Sequence, residues 1–135
     1  MTVVRDAMVP EPTSLAGGAT AQVAGRYFAD GPEVRAVFVC GADGTLIGVV
    51  TRKTLVREVV AAGLDPKAVE LRAIAEPPIF TFDASLPLDE AYRMLEERDL
   101  ERVPVVEDGR LVGVLSRAVV QRRLAEDEPP AIEVS

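Results

Sequence analysis

Histidine and tryptophan are absent from this sequence, cysteine occurs once, and aromatic residues make up only 4% of its 135 residues. Each shortage closes a class of chemistry. Without histidine there is no Cys/His metal site and no Ser-His or Cys-His catalytic pair. The single Cys40 has no internal partner for a disulfide, and its apolar neighbours predict a buried thiol acting as a small hydrophobe. No apolar run reaches the roughly 20 residues that a membrane span needs, and the N-terminus lacks the basic-then-apolar pattern of a signal peptide. A soluble cytoplasmic chain with no membrane partner is therefore expected. Basic residues are outnumbered, 15 against 22 acidic, and the net charge of −7 also argues against a nucleic-acid partner. No paired carboxylates, nucleophile–base pair or metal cluster stands out, so no enzymatic activity is expected.

What the sequence does contain is a repeat. Residues Val37 to Val60 read "VFVCGADGTLIGVVTRKTLVREVV" and residues Val103 to Ala125 read "VPVVEDGRLVGVLSRAVVQRRLA". Both are an apolar strand, an acidic-glycine turn, a second apolar strand, and a hydroxyl residue opening a helix. Gly48 answers Gly113 and Thr51 answers Ser116, and upstream Met8-Val9-Pro10-Glu11-Pro12 answers Ala75-Glu76-Pro77-Pro78. Two units are too few for a solenoid, which needs about three repeats to bury its faces. The chain length suits one domain in which each repeat is half a fold. The 48% apolar content, rich in Val, Leu and Ala, predicts an α/β (α+β) packing of small side chains.

Periodicity and punctuation predict the elements. A short helix at Val4 to Met8 stops at Pro10 and Pro12, and Thr13 to Leu15 is extended. Helical spacing runs from Ala19 to Ala29. Strands Ala36 to Cys40 and Leu46 to Val50 flank a turn at Gly41 to Gly44, and a helix from Arg52 to Ala62 is capped by Gly63. Pro66 to Ala73 connects the halves. Ile79 to Phe82 is extended, Ser85 caps a helix to about Arg98 with Pro87 in its first turn, and strands Arg102 to Val106 and Leu111 to Leu115 flank Glu107-Asp108-Gly109. A last helix follows Ser116, and the acidic, proline-containing tail is expected to be loose.

This order, with "VPVVEDGRLVGVLS" in the second copy and Gly-x-x-Thr or Gly-x-x-Ser at Gly48 to Thr51 and Gly113 to Ser116, resembles a tandem pair of cystathionine β-synthase (CBS) domains, the Bateman module. Met8-Val9-Pro10 resembles the segment that leads into the family's first strand. The resemblance implies two β-α-β-β-α motifs, residues 1–65 and 66–126, packed through their sheets with pseudo-twofold symmetry, and leaves 127–135 as the tail. It also implies a regulatory module that binds an adenine nucleotide (AMP, ADP or ATP) or an adenosyl compound in a cleft between the motifs, controls an attached or partner protein, and assembles as a dimer. The apolar faces of helices 19–29 and 86–98 are the expected dimer contact.

Carried over position by position, the family's site falls on few strong candidates. Thr51 and Ser116 open helices, where free N–H groups favour a phosphate, although an N-cap role explains them equally well. The family pattern continues to an aspartate that accepts ribose hydroxyls, and here Thr54 and Val119 stand in its place. A carboxylate accepts both hydroxyls, whereas threonine offers one hydroxyl and valine none. Arg52 and Lys53 add positive charge beside Thr51, which favours the first site over the second. The adenine end would be lined by Val9, Pro10, Pro12 and Thr13 in the first half, and by Ala75, Pro77, Ile79, Val103 and Pro104 in the second. Arg102 is the second-half candidate for a phosphate. The missing aspartates keep a second reading open, a dimerisation or partner-docking module with a vestigial cleft.

Overall fold

A computed structural model describes residues 2–10, 12–78 and 80–127. The expected loose tail beyond 127, together with Ile79 and Glu11, lies outside the described residues. The element order is α1 (Val4–Ala7), β1 (Val9–Pro10), β2 (Ser14–Ala16), α2 (Ala21–Asp30), β3 (Ala36–Cys40), β4 (Leu46–Thr51), α3 (Arg52–Leu55) continuing as a π-helical turn (Val56–Val60), α4 (Leu71–Ile74), β5 (Phe82–Asp83), α5 (Leu88–Glu97), β6 (Arg102–Glu107), β7 (Arg110–Ser116) and α6 (Arg117–Asp127). No helix among the described residues is long and apolar enough to cross a membrane.

The chain forms two compact units whose limits differ from those of the repeats. Unit I gathers Met1–Glu11, Phe80–Glu107 and Val112–Ser135; unit II gathers Pro12–Ile79 and Asp108–Leu111. The segment leading into each repeat is thus housed with the other repeat. In unit I, β1 runs antiparallel to β7, with Val9 opposite Val114 and Pro10 opposite Gly113, and the sheet order is β1-β7-β6-β5. In unit II the matching bridge joins Val49 to Glu76 through two backbone hydrogen bonds of 2.8 and 2.9 Å, beside the sheet β2-β3-β4.

These crossings explain the two repeated glycines. A Cβ at Gly48 would lie 2.6 Å from the Glu76 carbonyl oxygen, and a Cβ at Gly113 would lie 2.6 Å from Met8 Sδ and 2.8 Å from the Val9 carbonyl oxygen. Only a residue without a side chain lets the lead-in backbone pass so close.

Each unit has its own core. In unit I, Val4, Phe82, Leu88, Leu95, Val105 and Leu115 are buried together; in unit II, Phe28, Val37, Val39, Val50 and Leu71 are. The helix faces expected to meet a second copy are thus largely used internally. Phe28 lies in the core of unit II, and Leu88, Ala91 and Leu95 lie in that of unit I, because one helix layer already covers a sheet of three or four short strands.

Local chemistry accounts for the elements and for the departures from the predicted ones. The β6–β7 hairpin turns on Asp108 and Gly109, both with positive φ (52° and 79°), as a two-residue type I′ loop requires. Gly63, at φ 71°, ends the helical run after the π turn, in which the Ala61 N–H reaches the Val56 carbonyl at 2.7 Å. The stretch read as a connection contains α4, anchored by the buried Leu71, whose N–H bonds the Ala19 carbonyl at 2.8 Å. Ser85 does not cap α5. Its N–H and hydroxyl donate to Asp83 at 2.9 and 2.6 Å, holding that carboxyl below its ordinary range, and Pro87 takes the cap position.

Replacing Gly48 by alanine should destabilise the fold by about 1–3 kcal/mol in urea unfolding, the usual cost of overpacking. Gly113→Ala should cost somewhat less, because Met8 can swing aside and the backbone clash that remains, with the Val9 carbonyl oxygen at 2.8 Å, is milder than the 2.6 Å one at Gly48. Equal stability of both variants and the parent would contradict the close backbone passage.

Candidate functional site at the strand-to-helix steps

The first step, Gly48 to Thr54, is built by a reciprocal pair of threonines. Thr51 leaves β4 in an extended conformation (φ −117°, ψ 174°) and caps α3. Its hydroxyl accepts from the Thr54 N–H at 3.2 Å, while the Thr54 hydroxyl accepts from the Thr51 N–H at 3.1 Å. The two hydroxyl oxygens stand 3.0 Å apart. This is a capping box with threonine in the place usually taken by Glu or Gln. Thr54 is 1% exposed, the one buried polar residue among those described, so its hydroxyl is spent inside the fold. Thr51 stays half-buried, and its hydroxyl, with the Thr54 N–H and hydroxyl as partners, keeps capacity for one more hydrogen bond.

Arg52 does not add its charge to this step. Its guanidinium donates to the carbonyls of Val34, Phe28, Gly31 and Pro32 at 2.6 to 3.3 Å, and lies 5.0 Å over the Phe28 ring. It closes the carboxyl end of α2, where unpaired carbonyls and the negative end of the helix favour a cation. Lys53 is exposed. Thr13 is also exposed, and its carbonyl accepts from the Phe38 N–H at 3.1 Å, while Thr51 stands opposite Ala36 across the same strand. The structure therefore brings Thr13 and Thr51 to one end of the unit II sheet. Ala75 and Pro77 belong to the same unit, half-buried and exposed respectively.

In unit I, Ser116 ends β7 and the next residue, Arg117, pairs with Asp99 at 3.0 Å and Glu101 at 3.6 Å. The basic group beside Ser116 is thus neutralised locally. Val119 is half-buried and offers no polar atom. Arg102 is exposed at the start of β6, whereas Val103 and Pro104 are buried. Val9 and Pro10 are exposed on β1. Ile79 lies outside the described residues.

A family model for the CBS domain matches residues 4–61 and 71–126. The chain belongs to the CBS-domain family. Hypoxic response protein 1 of Mycobacterium tuberculosis is 33% identical over 126 residues, covering 93% of this chain and 87% of that protein. A crystal structure of Hypoxic Response Protein I with two coordinated zinc ions superposes at a TM-score of 0.77 with 32% identity, covering 91% of this chain and 99% of the other. CBSX2 in complex with AMP has a TM-score of 0.73 at 24% identity, over 93% and 98% of the two chains. The CBS domain pair of protein MJ0100 with 5-methylthioadenosine and S-adenosyl-L-methionine has a TM-score of 0.68 at 19% identity, over 95% and 99%. The last two likenesses establish the fold alone.

Two features of this CBS pair escaped sequence reading. The Thr-x-x-Thr spacing carries the signature of a capping box and could have revealed the reciprocal bonds. Nothing in the sequence marks Arg52 as a clamp on α2, because its acceptors are main-chain carbonyls. Thr54→Val, which keeps shape and removes the hydroxyl, should cost about 1–3 kcal/mol by leaving the Thr51 N–H without its partner. Chemical denaturation would measure this, and an unchanged midpoint would contradict the reciprocal box.

Proposed function

We propose that this CBS pair is a regulatory ligand-binding module that senses an adenine nucleotide or a related phosphorylated metabolite in the cytoplasm, without catalysing a reaction. The observation that carries the reading is Thr51, half-buried at the position where the family pattern meets phosphate and with its hydroxyl fixed by two hydrogen bonds to Thr54. The AMP complex of CBSX2 and the adenosyl complexes of MJ0100 support the ligand class. Recognition falls on the phosphate end, since the ribose position is taken by the buried Thr54 in one motif and by Val119 in the other. The regulated partner is a protein attached to or associated with the module, and the module itself pairs with a second copy.

A docking role with no ligand is the competing reading. It is favoured by the internal commitment of Arg52 and Thr54, two of the polar side chains assigned to the first site.

Zinc, coordinated in the Hypoxic Response Protein I structure, does not fit the described residues of this chain. There is no histidine, burial pushes the lone Cys40 thiol up and away from the thiolate, and no group of three or more His, Cys, Asp or Glu among the described residues could hold a metal ion.

A thermal-shift series with AMP, ADP, ATP, S-adenosylmethionine and cyclic dinucleotides tests the sensor, since a ligand that binds only the folded chain stabilises it by RT ln(1 + [L]/Kd). At least one phosphorylated ligand should raise the melting temperature, and Thr51→Val should weaken its calorimetric affinity more than Ser116→Ala does. Thr54→Asp should add about ten-fold for a ribonucleotide by restoring a charged acceptor. Absence of any shift, in the parent and in Thr54→Asp alike, would favour the docking role.

A further inference from the structure

The turns of the two repeats meet within unit II, which holds both Pro12–Ile79 and Asp108–Leu111. The Leu46 N–H donates to the Gly109 carbonyl at 3.1 Å and the Leu111 N–H donates to the Gly44 carbonyl at 3.1 Å, on either side of an antiparallel bridge between Thr45 and Arg110. Gly44 answers Gly109 and Leu46 answers Leu111 in the repeat, so each bond is the copy of the other about a local two-fold axis. Together they close a single ring around the Thr45–Arg110 pair.

Two features confine this contact. Every residue of 41–47 and 108–111 is exposed or half-buried, and backbone bonds with no buried apolar cover lie at the low end of the range of local stability in a fold. On the core side, β3 and β4 slip in register. Val39 lies opposite Gly48 and Cys40 opposite Leu46, which leaves Ile47 as the extra residue of a β-bulge. A bulge interrupts the ladder, so an opening of the turns stops there, short of Gly48 and its crossing by Glu76.

Charge breaks the symmetry. Thr45 and Arg110 hold equivalent positions, but of the two only Arg110 is charged. Its stem lies along Gly44, with Cβ, Cγ and Cδ 3.8 to 3.9 Å from where a Cβ on that glycine would stand. The Asp43 carboxyl is held below its ordinary range first by the Thr45 N–H, which donates to it at 3.1 Å, and also by the Arg110 charge. That attraction joins one turn to the other.

We infer that the two turns form a clasp that opens and closes as one while the core of unit II stays folded, and that the charge at position 110 sets how often it is open. Shut, the clasp makes the turn tips of both repeats move together. Open, it frees the Leu46 and Leu111 N–H groups and the carbonyls they bonded, without uncovering a core residue. The device stands independently of any ligand.

Amide hydrogen exchange of the full chain, read by NMR, provides the test, with urea unfolding to verify that each variant is folded. Leu46 and Leu111 should show the same protection, about a hundred-fold or more below that of Leu71 and of Val49, whose N–H bonds Glu76 beyond the bulge. Arg110→Glu sets a like charge against Asp43. It should lower protection at Leu46 and Leu111 together by about three-fold or more and leave Val49 unchanged, whereas Arg110→Lys should keep the parent's values. Exchange at Leu46 and Leu111 as slow as at Val49 and Leu71 overturns the independent opening. Unequal protection of the two, or a response to Arg110→Glu at one of them only, overturns the single clasp, and no response at either overturns the role of the charge.

Discussion

The close passage of the two lead-in segments over Gly48 and Gly113 is the constraint on which the rest of this structure depends. Each crossing brings a backbone carbonyl oxygen, of Glu76 at 2.6 Å or of Val9 at 2.8 Å, to where a methyl group would stand, so the sheet neighbours of β4 and β7 are fixed by the absence of a side chain. The glycine sits three residues before the helix-opening hydroxyl. Its contact therefore also fixes where β4 ends and where Thr51 stands. Packing and site share one cause, and a chain that lost the glycine would lose the register of the hydroxyl with it.

The same economy appears in the polar side chains. Thr51 and Thr54 satisfy each other's N–H groups, and Arg52 closes the end of α2 with a fan of carbonyl acceptors and the face of Phe28. In a segment of four residues only Lys53 is left without an internal role in what the structure shows. An aspartate at position 54 would bring a negative charge to the start of a helix whose free N–H groups welcome one. Threonine at that position makes the same cap without the charge. The first motif thereby keeps its helix start without a carboxylate at that position.

Much of the fold was legible because it is local. Strand Ala36 to Cys40 was bounded by the Gly41 turn after it, and the acidic-glycine turn at Asp108-Gly109 marked the second hairpin. The helices of both motifs followed from apolar spacing. What stayed hidden was set by contacts distant in sequence. Met8-Val9-Pro10 reads as punctuation before a strand, and only the fold shows that it pairs with Gly113 and Val114. Leu71 looked like part of a connection because its burial comes from α2 and the sheet, not from its own neighbours. Ser85 had the chemistry of a helix cap, but Asp83 two residues earlier captured it first. The candidate site followed the same rule: Thr51 was visible from a pattern as the hydroxyl that opens a helix, whereas the commitment of Arg52 to main-chain carbonyls has no sequence signature.

The pairing of Val9 with Val114 also sets an order of events during synthesis. Strand β1 is made about a hundred residues before β7 and has no sheet partner until β7 follows. Unit II can gather most of its residues first, since Pro12–Ile79 is continuous. Unit I must wait for β7, about a hundred residues beyond β1, before its sheet is complete, and long closures of this kind slow folding. A nascent chain stalled before β7 would hold one nearly complete half and another whose sheet lacks the strand that joins β1 to β6. The interval between those two moments is when the chain is most open to capture by chaperones or by other unfinished chains.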